Sequence, residues 1–341
     1  MSNVPMLFDE YLKRNMCEKG DEYTHTRMPN QKFKISGGTY SIKNQDEFLK
    51  NYYKHVFIDG NNEHLTEKQL IEKAPLAIDI DMRYDPSVVE RQHDEDDIRD
   101  LVHLYATTIS NICVINNKHK IEVFVMEKQE VNRLKDKTKD GIHIIFGISM
   151  HRAGHILIRE EVIKEIKNLW QHLPLTNSEE DLIDEAVTRA HVPWQLYGSK
   201  KPDHKAYFVK YHYELEWSSE DRKWIWQIND IEKFNTKKYL PKLSVRYTKH
   251  PEVDFQDKIK DKIEEYKLNI NKKQRRMSSK ITIKQSKGID LNDITNTQKL
   301  DNLVNEMLEK IEERPNDYEL KETYQFVMIL PEKYWGPGSY D

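Results

Sequence analysis

Length, composition and charge exclude several classes for this chain of 341 residues, in which 33% charged residues nearly cancel to a net charge of −4. Its two cysteines, Cys17 and Cys113, lie far apart and outside any CxxC motif, which excludes a disulfide framework and a cysteine-based zinc site. No segment has the character of a signal peptide or a membrane span, so we expect an intracellular protein with no membrane partner.

Predicted helices and strands alternate along the first half of the chain. The signals are helical spacing of apolar residues and short β-branched runs. They predict helices at 48–56, 66–74, 98–112 and 159–173, strands at 74–84, 121–126 and 142–149, and a hairpin of 206–217 with 223–228. Such an order is typical of an α+β or α/β fold with a mixed sheet.

Composition divides the chain into three regions. Residues 1–240 contain the predicted strands and form the main domain. Residues 241–290 form a basic polar linker, in which 272–287 hold seven lysines or arginines and no acid. This run is either a solvated linker or a track for a phosphate backbone. Residues 291–341 form a helical appendage, and their last stretch, MILPEKYWGPGSYD, indicates a cut through a longer protein.

The first informative motif is APLAIDIDMRY, residues 74–84. In a strand, Asp79 and Asp81 project on one face, whereas Ile78 and Ile80 project on the other. Two carboxylates on a buried strand repel each other unless a cation lies between them, which favours a divalent metal site. The alternative is a half-exposed edge strand. Acid-x-acid triplets are common in a chain with 58 acidic residues, so the spacing alone does not decide.

The second motif is KTKDGIHIIFG, residues 137–147. Lys139 and His143 flank Gly141, and both side chains are good hydrogen-bond donors to phosphate oxygens. The missing side chain of Gly141 would allow a ligand to approach the backbone closely. Taken alone, His143 is better explained as a polar residue at a sheet edge, and the neighbouring Lys139 and Gly141 are what favour a phosphate contact.

The third motif begins at Leu182 and reads LIDEAVTRAHVPWQLYGSKKPDHKAYFVKY. Asp184 lies among apolar residues, and Ser199, Lys200 and Lys201 form a compact basic turn. A helix-surface acid and a solvated turn are the alternatives for these residues. Trp194 is better explained as a core aromatic than as a base-stacking platform.

Together and in this order, the three motifs resemble the archaeo-eukaryotic primase superfamily, most closely its PrimPol type. KDGIHIIF and WQLYGSKKP are also similar to primase modules at the N-termini of primase-helicases in poxviruses and other large DNA viruses. The motif resemblance covers about residues 74–210. It implies an α+β fold with an RRM-like sheet flanked by helices, with residues 1–240 as the catalytic domain.

The resemblance also implies an activity and its partners. The expected enzyme is a DNA primase, or primase-polymerase, that makes primers from NTPs or dNTPs on single-stranded DNA during viral replication. It would use two Mg²⁺ or Mn²⁺ ions and be followed by a helicase domain. If the protein is viral, it would act in the host cytoplasm or at a viral replication site.

Residue roles follow from the resemblance position by position. Catalytic and metal-binding roles fall on Asp79, Asp81 and Asp184. Nucleotide-binding roles fall on Lys139, Gly141, His143, Arg189, Ser199, Lys200 and Lys201. Gly141 stands where the family has a serine that contacts phosphate, and Val192 and Gln195 stand where PrimPol-type sequences have arginines.

Two other functions are compatible with parts of the sequence. A metal-dependent glycosyltransferase would explain the DxD pair but neither of the other two motifs. A catalytically inactive nucleic-acid-binding module of a replisome would explain the fold resemblance without turnover.

Overall fold

The computed structural model describes residues 8–18, 20–117 and 119–271. Contacts divide the chain into a unit of Met1–Gln274 and a unit of Arg275–Asp341, and the described residues all belong to the first. The predicted basic run at 272–287 and the helical segment at 291–341 lie outside the described residues. Within the described part, no helix is long and apolar enough to cross a bilayer.

The described chain contains ten strands, together with α-helices and shorter helical turns. The strands are β1 (His25–Arg27), β2 (Gly38–Tyr40), β3 (Leu65–Glu67), β4 (Ala74–Tyr84), β5 (Lys120–Glu127), β6 (Asn132–Arg133), β7 (Thr138–Met150), β8 (Trp194–Gln195), β9 (Phe208–Ser218) and β10 (Lys223–Ile228). The α-helices are α1 (Phe8–Arg14), α2 (Gln45–Tyr53), α3 (Glu95–Ile112), α4 (Arg152–Leu169), α5 (Glu179–Leu182), α6 (Glu185–Thr188) and α7 (Thr236–Tyr239), and residues 260–271 are also helical. Lys54–Ile58 forms a π-helical turn, and 3-10 turns cover Ile231–Lys233, Leu240–Leu243 and Asp257–Ile259.

The strands form two sheets. The larger has the order β10-β9-β5-β7-β4, with β6 paired to β7, and the smaller has the order β2-β1-β3-β8. The predicted α+β fold is therefore confirmed. The order of elements in the sequence predicts a mixed sheet, but the strand pairs of both sheets are antiparallel in the described chain.

Helices α3 and α4 cover one face of the larger sheet. Buried side chains on that face include Ile78, Ile80 and Met82 of β4, which pack with Leu101 and Ile158 of the helices. A capping box between Asp94 and Asp97 begins α3, as its acidic first turn predicts.

The other face of the larger sheet packs towards the smaller sheet. Here Ala77, Phe124 and Ile145 share a core with Phe48 of α2 and Leu65 of β3. The chain after residue 240 continues this packing, since Leu240, Leu243 and Val245 are buried in the same core. The first third of the predicted linker is thus packed against the domain.

The predicted helix at 66–74 is wrong. Thr66 lies instead in β3, where it pairs with Thr26 on one side and Gln195 on the other. The buried carboxylate of Glu67 accepts hydrogen bonds from the Ser244 hydroxyl and the Val245 amide, which favours the extended conformation. Tertiary pairing here overrides the local helical spacing.

The other predicted helices and strands are observed, most of them with shifted ends. Helix α3 and the hairpin of β9 and β10 are confirmed. Helix α4 begins at Arg152, several residues before the predicted start, because the His151 side chain accepts a hydrogen bond from the Ala153 amide and caps it.

Candidate active site

Two neighbouring strands bring the first two motifs together. In the antiparallel pairing of β4 with β7, Asp79 lies opposite His143. Two residues further along, Asp81 lies opposite Gly141. Because side chains alternate along a strand, both carboxylates and the imidazole project from the same face of the sheet, the one that packs towards the smaller sheet.

The third acid reaches this face through a backbone contact. The Asp184 amide donates a 2.9 Å hydrogen bond to the Asp79 carbonyl, and Ile183 makes a β-bridge with Ile80. Asp184 is the N-cap of α6, where its Oδ1 accepts from the Val187 amide at 3.0 Å. The chain therefore holds Asp184 beside the strand that carries the other two acids.

The pKa of Asp79 reflects its burial and the closeness of the other two acids. Burial, followed by the charges of Asp81 and Asp184, raises the pKa of Asp79 to about 8, against the opposing effect of Lys201 and Lys128. Its Oδ1 is shielded from solvent and has no hydrogen-bond partner among the described residues. A carboxylate oxygen in this state lacks a positive partner.

His143 is neutral in this environment. Burial lowers the pKa of His143 well below its usual value, and Lys128 and Lys201 lower it further. Its Nε2 lies 3.4 Å from Oδ1 of Asp79. With a neutral imidazole, this contact is not an ion pair.

The acids fit a hard divalent cation. Mg²⁺ and Mn²⁺ prefer oxygen ligands, and Mg²⁺ is usually held by one or two carboxylates together with substrate phosphates and water. In residues 8–271, apart from 19 and 118, no three His, Cys, Asp or Glu side chains are already arranged around one metal position. The unpaired Oδ1 of Asp79 and its carboxylate neighbours match a site completed by substrate oxygens.

These side chains line a cleft of about 550 Å³. Its basic wall is the set of four lysines that line the cleft together with the three acids: Lys128, Lys139, Lys201 and Lys205. The remaining lining residues include Met28, Thr66, Glu130, Asn132, Leu134, Asp140, Pro193, Trp194, His204 and Tyr207. A cleft lined by both carboxylates and ammonium groups suits a metal-bound polyphosphate.

Four of the predicted nucleotide-binding residues line this cleft: Lys139, Gly141, His143 and Lys201. Arg189 lies outside it, where its Nε pairs with Glu185 at 2.6 Å. Lys139, Gly141 and His143 belong to β7, whereas Lys201 belongs to the turn before β9. Two separate motifs therefore line the same cleft.

Ser199 and Lys200 also lie outside the cleft. The Ser199 hydroxyl is buried, 2.9 Å from the Tyr52 hydroxyl, and accepts from the Leu65 amide at 3.1 Å. The ammonium of Lys200 lies 5.7 Å from the centroid of the Phe33 ring. Position 199 thus supports the small sheet, and the side chain of Lys200 points away from the acids.

Sequence reasoning missed several lining residues. Lys128 follows β5 directly and belongs to no motif, whereas Tyr207 lies near the end of the third motif, just before β9, but the sequence pattern gives it no role. Val192 and Gln195, which stand where arginines were expected, both line the cleft. Only the pairing of strands distant in sequence reveals this set.

Gly141 requires a correction. Its missing side chain was expected to admit a ligand, but a Cβ at this position would lie 2.6 Å from the Tyr207 hydroxyl. The protein's own tyrosine fills that space. The ring of Tyr207 stacks on His143 with centroids 3.7 Å apart, which fixes both side chains.

Comparison with known families supports the same region of the chain. The family described as "C962R protein N-terminal AEP domain" matches residues 24–213. This range includes all three motifs and most of both sheets. No curated protein sequence matches the chain.

Proposed function

The chain belongs to the family of C962R N-terminal domains, which are archaeo-eukaryotic primase (AEP) domains, and on this premise we propose that it is a DNA primase. The proposed reaction joins nucleotides, NTPs or dNTPs, on a single-stranded DNA template by nucleotidyl transfer. The supporting observation is the meeting of Asp79, Asp81 and Asp184 with His143 and Lys201 in one cleft. As part of the proposal, the activity serves viral DNA replication and a helicase domain follows, as the sequence resemblance implies.

The acids would hold two Mg²⁺ or Mn²⁺ ions. Such ions lower the pKa of the attacking 3′-hydroxyl and neutralise the charge of the leaving pyrophosphate. Asp79 and Asp81 would contact both ions, and Asp184 would complete the one nearer the hydroxyl. The repulsion that raises the pKa of Asp79 then becomes attraction to the cations.

The basic wall would bind the triphosphate. Lys139 and Lys201 reach the cleft from different segments, so their ammonium groups can contact different phosphates. Lys128 adds a third positive charge, and its carbonyl is held by Arg91 Nη2 at 2.8 Å. Neutral His143 can donate one hydrogen bond to a phosphate oxygen without adding charge.

The test is metal-dependent extension by the full chain on single-stranded DNA with labelled nucleotides. We expect Asp79→Ala combined with Asp81→Ala to lower product formation at least about a hundredfold, because metal and oxyanion contacts contribute several kcal/mol to such reactions. A matched control combines Asp96→Ala with Asp100→Ala, two exposed acids on α3. The control is expected to extend like the wild type.

Two results would contradict the proposal. Equal product from the wild type and the Asp79/Asp81 variant would remove the acids from the reaction. Binding of single-stranded DNA by the wild type, with no incorporation under Mg²⁺ or Mn²⁺, would support a non-catalytic nucleic-acid-binding module instead.

A further inference from the structure

Tyr207 is an enclosed polar side chain of the cleft to which none of the three motifs assigns a role. It is buried, and its ring stacks on His143 at 3.7 Å between centroids with an interplanar angle of 16°. The ammonium of Lys128 lies 4.7 Å from the centroid of the same ring. Tyr207 therefore contacts both His143 and Lys128, and its side chain has little freedom to move.

The hydroxyl of Tyr207 takes the place of a side chain at position 141. An ideal Cβ on Gly141 would lie 2.6 Å from this oxygen but 3.7 Å from Cζ, which is an ordinary van der Waals distance. The conflict is thus with the hydroxyl alone. Gly141 does not have a positive φ, so its backbone would accept a side chain if the hydroxyl were absent.

The environment keeps this hydroxyl protonated. Burial raises the pKa of Tyr207 well above its usual value, and the negative charges of Asp79 and Asp81 raise it further. A neutral phenol is a hydrogen-bond donor. It lines the same cleft as the three acids and the four lysines.

We propose that the Tyr207 hydroxyl donates a hydrogen bond to a phosphate oxygen of the bound nucleotide, from the position that a hydroxyl-bearing side chain at residue 141 would otherwise occupy. This inference rests on the proposed function, since it assigns a contact within the same site. The pair Gly141 and Tyr207 then acts as one unit, in which the glycine makes room for a hydroxyl supplied from a distant segment.

The test is a reciprocal exchange in the full chain. Tyr207→Phe removes the hydroxyl and is expected to weaken nucleotide binding about tenfold, since a hydrogen bond to a charged group is lost. Gly141→Ser alone places its Cβ against the tyrosine and is also expected to weaken binding. Combining the two substitutions removes the conflict and returns a hydroxyl to the cleft, so we expect most of the affinity to be recovered.

A matched control separates hydrogen bonding from packing. Gly141→Ala combined with Tyr207→Phe fills the same space without a hydroxyl, and it is expected to stay as weak as Tyr207→Phe. The primary readout is the dissociation constant for fluorescently labelled ATP with Mn²⁺. Thermal melting checks that each variant is folded, and the KM for nucleotide should move more than kcat where extension is measurable.

The outcomes distinguish this inference from the proposed function. If Tyr207→Phe binds like the wild type, or if serine and alanine at position 141 behave alike in the phenylalanine background, the inference is overturned. If the exchange pattern appears in nucleotide binding but the wild type extends no primer, the inference is supported and the proposed polymerase activity fails.

Discussion

The two faces of strand β4 differ in almost every property. Ile78 and Ile80 on the helix-covered face are fully packed in an apolar core. Asp79 and Asp81 on the opposite face are half-buried and line the cleft. Because side chains alternate along a strand, one segment builds the core and the site without conflict. Substitutions on the two faces should therefore separate stability from activity.

The two faces also differ in what their distant segments supply. The core face is built mainly by the large sheet, α3 and α4, with additional apolar side chains such as Leu182, Val253 and Ile263. On the cleft face, the β-bridge between Ile183 and β4 positions the third acid, Asp184. The turn before β9 supplies Lys201. A functional face assembled from distant segments depends more strongly on tertiary structure than a core face does.

The largest effect on stability is expected from the core face. Ile80→Ala removes a fully buried side chain and should lower the free energy of unfolding by about 2–5 kcal/mol. Ile225→Ala is the matched control, because this isoleucine on β10 is 53% exposed. Chemical denaturation of both variants measures the difference. Equal unfolding midpoints would contradict the assignment of Ile80 to the core.

A smaller effect is expected from the basic wall, where adjacent lysines differ in placement. Lys201 lines the cleft, whereas the Lys200 side chain lies against Phe33. Lys201→Gln should raise the KM for nucleotide about tenfold or more, as expected for loss of a charged contact to phosphate. Lys200→Gln should change it less than about twofold. Steady-state extension assays measure both, and the reverse ranking would exclude the proposed wall.

The smallest effect concerns the pH dependence of stability in metal-free protein. The pKa of Asp79 is raised to about 8, so the folded state keeps a proton that the unfolded state has released. The resulting stabilisation is complete below about pH 4 and is lost as pH rises towards 8. Asp79→Asn does not lose stability in this way as the pH rises. The Tm of this variant minus the Tm of the wild type, both measured in EDTA, should therefore increase from pH 5.5 to pH 8.5.

The size of that increase is several °C, because each kcal/mol corresponds to about 2–4 °C in a domain of this size. Asp100→Asn, at an exposed position on α3, is the control and should show no such trend. A difference in Tm that is constant with pH would mean that Asp79 is not held in its protonated form. Mn²⁺ should raise the Tm of the wild type more than that of Asp79→Asn.

The sequence by itself determined the fold class and the order of the three motifs. The alternation in APLAIDIDMRY correctly separated Asp79 from Ile80, since faces of a strand follow directly from a period of two. Lys139, His143 and Lys201 were identified through local motifs, and all three line the cleft. The local sequence pattern was sufficient to place a residue wherever its position depends only on its own strand or turn.

Only the tertiary structure decided which other residues face the acids. Ser199 and Lys200 lie next to Lys201 in sequence, yet one side chain supports the small sheet and the other lies against Phe33. Tyr207 received no role from the motif that contains it, but its hydroxyl fills the space beside Gly141. The physical reason is that the register of β4 with β7, and the packing of the segment before β9, bring together residues more than sixty positions apart.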